Sequence, residues 1–142
     1  MLRLDPVAEA VGEARRYVRS ALADFGRSDL EDSAVLGVSE LVTNAAIHAR
    51  TPFTVMVART DVGAIRITVR DFSPALPRQR RYGLESITGR GLRLVESIST
   101  AWGVEQANDE SGPGKVVWFE PGTDQEESAF ADTDWLSQLG SP

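Results

Sequence analysis

The chain has 142 residues, 42% of them hydrophobic and 25% charged, which fits one globular domain with a single core. It has no cysteine, one histidine, no apolar run near the roughly 20 residues that span a bilayer and no signal-peptide pattern. Disulfides, thiolate or zinc centres and a membrane span are thereby set aside. The net charge of -6 lies mostly after Gly122, where five acids stand without a base, and neither that tail nor the near-neutral body favours direct nucleic-acid binding.

Pro6 opens a first helix and Gly26 closes it. Between them Ala10, Ala14, Tyr17, Val18, Ala21 and Leu22 keep helical spacing while Glu13, Arg15, Arg16 and Arg19 fall elsewhere. Ser28 with Glu31 three residues later reads as a capping box for a second helix, which Pro52 limits to about Ala49. The period then changes to two: "FTVMVAR" and "AIRITVRDF" alternate, with Asp61-Val62-Gly63 as a hairpin turn. "SPALP" is a loop. "GLESITGRGLRLVESIST" ends in a third helix with Leu92, Val95 and Ile98 inward. "WGVEQA" and "KVVWFEP" are two further strands around a turn-rich "NDESGPG". Helices on one face of a mainly antiparallel sheet make an α+β two-layer sandwich over residues 1–122. Residues 123–142 read as an acidic, disordered tail, with docking of "AFADTDWL" on a partner or on the Arg-rich segment as the sharper alternative.

Three features carry chemistry. In the second helix Val35, Val38, Leu41, Val42, Ala45 and Ala49 form one stripe, while Glu40, Asn44 and His48 stand four apart on another side. Leu36 and Ile47 flank that polar line, so it does not read as a freely solvated face. Two meanings stay open: a polar line facing a ligand, or an edge-exposed Glu with a helix-capping His. In "AIRITVRDF", Asp71 shares the inward face with Ile65, Ile67 and Val69, as a ligand-facing acid or a strand-end turn acid. "TGRGL", directly before a helix, offers backbone N–H groups and a helix N-terminus to an anion, and Arg78, Arg80, Arg81, Arg90 and Arg93 cluster around it. It is neither a Walker A loop nor a Rossmann fingerprint.

In this order and spacing "SELVTNAAIHA", "DFSPALP", "GRGLRLV" and "GKVVWFE" resemble the N, G1, G2 and G3 boxes of the GHKL ATPases with their Bergerat fold, a histidine-kinase-like ATPase fold. The likeness covers roughly residues 4 to 120 and is nearest to the small bacterial anti-sigma-factor serine kinases. The resemblance implies ATP or ADP with Mg²⁺ as the bound species, Asn44 as the Mg²⁺ ligand and Glu40 as the general base toward a serine hydroxyl. It makes Asp71 the acceptor of the adenine amino group, and Gly89, Gly91 and the Leu92 amide the holders of phosphate oxygens. Ser73, where many relatives have glycine, and Arg90 complete the nucleotide-binding set. Lys115 and Val116 replace hydroxyl residues common after the G3 glycine, so Val116 brings no hydroxyl beside the adenine. The segment from Pro77 to Gly89 is short for a lid. The implied function is an ATP-binding regulator of transcription in the cytoplasm that phosphorylates an anti-anti-sigma (STAS-type) partner and contacts a sigma factor. Relatives of this kind are often homodimers. The alternative is a non-catalytic, nucleotide-dependent protein-binding module.

Overall fold

The computed structural model describes residues 1–73, 93–110 and 112–123. In chain order these hold β1 (Leu2–Leu4), α1 (Glu9–Asp24), a 3₁₀ turn (Ser28–Leu30), α2 (Glu31–Asn44) and a π-helical turn (Ala45–Ala49). Then come β2 (Phe53–Arg59), β3 (Ile65–Asp71), a helical turn over 93–97, β4 (Ser99–Asp109) and β5 (Gly112–Pro121). The strands form one five-stranded sheet in the order β1-β2-β3-β5-β4, and every neighbouring pair is antiparallel. Both long helices pack on one of its faces, which is the expected α+β sandwich.

In α1, Ala10, Ala14, Val18 and Leu22 are buried. Residues four apart share one side of a helix, so a single stripe meets the core. The helix ends in a Schellman closure: Arg27 N–H donates to Leu22 O, Gly26 N–H donates to Ala23 O, and Gly26 takes φ 70. Its start differs from expectation. The helix begins at Glu9 rather than Pro6, because the chain before it is drawn into the sheet as β1, with Leu2 opposite Val55 and Leu4 opposite Phe53. Three residues are too few to show an alternation in the sequence.

The Ser28–Glu31 capping box does not form. Residues 28–30 make a 3₁₀ turn without a side-chain cap; Glu31 instead pairs with Arg19 at 3.6 Å, and Arg27 with Asp29 at 3.0 Å. The buried residues of α2 are Ser33, Ala34, Gly37, Val38, Leu41 and Val42, so Ala34 rather than Val35 belongs to the predicted stripe. The α-helix stops at Asn44. The next turn widens, Arg50 N–H reaching back to Ala45 O at 3.3 Å, before Arg50 turns left-handed at φ 56. A single π turn inside a helix rotates the residues after it relative to those before.

β2 and β3 pair as read, Val55 opposite Val69 and Val57 opposite Ile67, through the Thr60–Ala64 turn. Phe53, Val55, Ile65, Ile67, Val117 and Phe119 face the helices. β4 and β5 are longer than expected: most of "NDESGPG" is ladder, with Asn108 opposite Pro113 and Asp109 opposite Gly112. Arg70 ties these ends together by pairing with Asp109 and donating to Gly112 O at 2.7 Å. On the sheet's other face the Arg66 guanidinium lies 3.8 Å from the Trp118 ring centre and bonds Glu120 at 2.7 Å.

Candidate functional site

Asp71 ends β3 on its inward face and is only 3% exposed. A buried carboxylate is costly unless donors meet it. Its Oδ1 accepts from the backbone N–H of Ser73 at 3.1 Å and of Lys115 at 3.0 Å, and Lys115 Nζ stands 3.8 Å from Oδ2. β5 approaches this closely because residue 114 is glycine: a Cβ there would lie 2.2 Å from the Asp71 carbonyl oxygen. Phe72 N–H donates to Thr51 Oγ1 at 3.1 Å, which fixes the chain just after Asp71.

The last turn of α2 brings Asn44 across from this carboxylate. Leu41, Asn44, Ala45, Val69, Asp71, Lys115 and Val117 enclose a cavity of about 10 Å³, near the lower limit for one water. Asn44 Nδ2 is buried there with no hydrogen-bond partner among the described residues. Buried amides are nearly always bonded, so an unmet donor in a cavity that also holds a carboxylate and an ammonium marks a place for a polar ligand.

Glu40 does not line that cavity. It stands one turn before Asn44 and borders a separate, open pocket of about 390 Å³ between α1 and α2, with Arg15, Arg19, Glu31, Asp32 and Ser39. Arg15 Nε donates to Ser39 Oγ at 2.7 Å in its wall. Leu36 and Ile47, expected to screen the polar line, are 44% and 56% exposed. That expectation is corrected: among the described residues this side of α2 is open.

The backbone of His48 lies in the π turn. Gly89, Arg90, Gly91 and Leu92 lie outside the described residues, as does the segment from Pro77 to Gly89. Ser73 enters the site through its backbone N–H. Val116 lies across from Arg70 and Glu105, on the face of the sheet away from the cavity, so its lack of a hydroxyl does not bear on the pocket wall. Lys115 faces the cavity with Val117. It is the pocket residue that sequence reasoning misses, and strand alternation counted back from Phe119 and Val117 is the signal for it.

Among the described residues no group of three or more His, Asp or Glu is placed to hold a metal. Mg²⁺ bound through phosphates needs only one or two protein oxygens, and Asn44 would supply one through its amide oxygen. None of the described helices is long and apolar enough to cross a membrane. The family model described as histidine kinase-like ATPase domain matches residues 4–120, which include α1, α2, β3 and nearly all of β5. No curated protein and no solved structure matches the chain.

Proposed function

The chain belongs to the family of histidine kinase-like ATPase domains, and on that premise we propose that it is a cytoplasmic, ATP-dependent protein serine kinase of the anti-sigma type. The observation that supports this most is that buried Asp71 and Asn44, whose Nδ2 has no hydrogen-bond partner among the described residues, line one cavity between α2 and the sheet.

In this reading Asp71 accepts a hydrogen bond from the adenine amino group, and its two backbone donors hold the carboxylate in place for that task. Asn44 holds Mg²⁺, which when bound neutralises phosphate charge. Gly89, Arg90, Gly91 and Leu92 hold phosphate oxygens, and Ser73 supports the base end through Asp71. Glu40 takes the proton of the partner's serine hydroxyl as that oxygen attacks the γ-phosphorus. The bond from phosphorus to the β-phosphate oxygen breaks and ADP leaves. Phosphoryl transfer asks little more of a protein than in-line positioning and charge neutralisation. The phosphorylated partner is a STAS-type anti-anti-sigma protein, and the second partner is a sigma factor.

One observation favours a second reading. Glu40 borders a different pocket from the one that holds Asn44 and Asp71. That separation supports a module that binds nucleotide and partner without transferring phosphate. Incubation with γ-labelled ATP, Mg²⁺ and candidate STAS-type proteins tests the two. Phosphoserine on the partner is the expected result. No transfer, together with partner retention that depends on ATP or ADP, leaves the module.

A further inference from the structure

Lys115 is the one lysine of the chain, and it stands in this cavity. The two oxygens of Asp71 have different surroundings. Oδ1 accepts from both backbone amides, whereas Oδ2 faces the Lys115 ammonium at 3.8 Å. That distance is too long for a hydrogen bond, so the contact is an ion pair held by charge alone. The Lys115 and Asp71 side chains are 17% and 4% exposed, which shields the pair from water and salt.

The apolar part of the wall belongs to the hydrophobic core. Leu41, Ala45, Val69 and Val117 are buried on α2, the π turn, β3 and β5, and Asn44 stands at the end of α2. Lysine, by contrast, carries its charge on a flexible four-carbon stem. The cavity that Lys115 helps to line holds about 10 Å³, where small-molecule sites are typically hundreds of Å³. A base enters only if Lys115 withdraws, and it then meets the carboxylate oxygen that the ammonium has vacated.

We propose that Lys115 sets the nucleotide affinity of this pocket as a built-in competitor for Asp71 Oδ2. The proposal rests on the reading of the cavity as the base site. A base amino group at hydrogen-bond distance replaces an ion pair that has no hydrogen bond, and the ammonium swings out to solvent. Until then the lysine neutralises a carboxylate that would be costly to leave buried and unpaired. The free protein gains stability from the contact, and the complex is weaker for it.

Calorimetric titration of the full chain with ATP and Mg²⁺ decides the matter, on the parent, Lys115→Met and Lys115→Arg. Lys115→Met removes the competing charge and is expected to tighten binding about tenfold, while Lys115→Arg keeps the charge and binds as the parent does. Thermal melts supply a second readout. Without nucleotide Lys115→Met melts lower than the parent, because Asp71 has lost its counter-charge, and ATP raises its melting temperature by more than it raises the parent's. If Lys115→Met does not melt cooperatively, Lys115→Thr takes its place with the same expected gain. Nucleotide binding by the parent that the uncharged variant leaves unchanged or weakens overturns the competitor and leaves the base-site reading intact. Absence of ATP binding in parent and variants alike overturns both.

Discussion

Asp71 is held by two backbone amide donors and by an ion pair with one ammonium, and this division decides what its substitution does. Asp71→Ala removes a hydrogen bond between the base and a charged acceptor, worth about 1.5–3 kcal/mol, so ATP affinity falls roughly 10- to 150-fold. The same substitution removes the preference for ATP over GTP. Calorimetry with both nucleotides checks this, and equal binding of the two by the parent rules out the role given to Asp71. Glu40 and Asn44 are one helical turn apart and border different spaces, so their substitutions separate two functions. Asn44→Ala weakens Mg²⁺-nucleotide binding and phosphate transfer together. Glu40→Gln keeps size and polarity, leaves ATP affinity nearly intact, and lowers transfer by the roughly 10²–10⁴-fold typical of general-base loss. Single-turnover transfer measured beside equilibrium binding distinguishes the two; an equal fall in both for Glu40→Gln would mean that Glu40 holds structure or metal rather than a proton.

At the scale of elements, the site depends on how closely α2 lies on β5. Gly37 faces the fully buried ring of Phe119, and a Cβ at residue 37 would come within 2.5 Å of that ring and 3.0 Å of Ile98. Gly37→Ala therefore overpacks the helix–sheet contact and lowers stability by about 1–3 kcal/mol. Gly12, in α1, supplies the control: a Cβ there meets only the end of the Arg16 side chain at 3.5 Å. Gly12→Ala gains helix propensity without a clash and raises stability by about 0.5–1 kcal/mol. Chemical denaturation of both variants gives the two signs directly, and a stable Gly37→Ala protein would mean that α2 has room to lift from β5. Of these elements α1, β2 and β3 are legible because their periods run for several repeats. The 3₁₀ start of α2 and its π-helical end are not. At the first of these ends Glu31 meets Arg19 of α1, and at the second the chain turns at Arg50 to enter β2, contacts that a local period does not report.

For the whole molecule, among the described residues the sheet is covered by helices on one face and by its own side chains on the other. There Arg66 lies over Trp118 and bonds Glu120, Arg70 lies over Phe72, and the ladder closes at Pro121. Gly122 N–H donates to Ile98 O at 2.9 Å, which ties the end of β5 to the turn that enters β4. The acidic, polar composition of the segment that follows is that of a chain without a core of its own, so truncation after Thr123 is expected to leave the thermal transition cooperative and its midpoint nearly unchanged. ATP affinity at low salt is expected to be unchanged too. A salt-dependent change in nucleotide or partner affinity on truncation would show instead that "AFADTDWL" docks, since charge contacts at a surface weaken as salt rises.

What the sequence by itself determined is whatever depends on repetition over a few residues. The four-residue spacing of α1, the inward set Ile65, Ile67, Val69 and Asp71, and the order of the four motif boxes need no knowledge of distant contacts. From these the two-layer sandwich, Asp71 as an inward acid and Asn44 as a polar residue of α2 all follow. Only the tertiary structure decided which of these groups meet. The antiparallel register that sets Val69 opposite Val117 and Arg70 opposite Val116 turns Lys115 toward Asp71 and Val116 away from it. The end of the α-helix at Asn44 puts that residue in the cavity and leaves Glu40 on an open side. Register and helix ending are set by contacts between residues far apart in the chain, and a one-residue change in either would place a different side chain at the site.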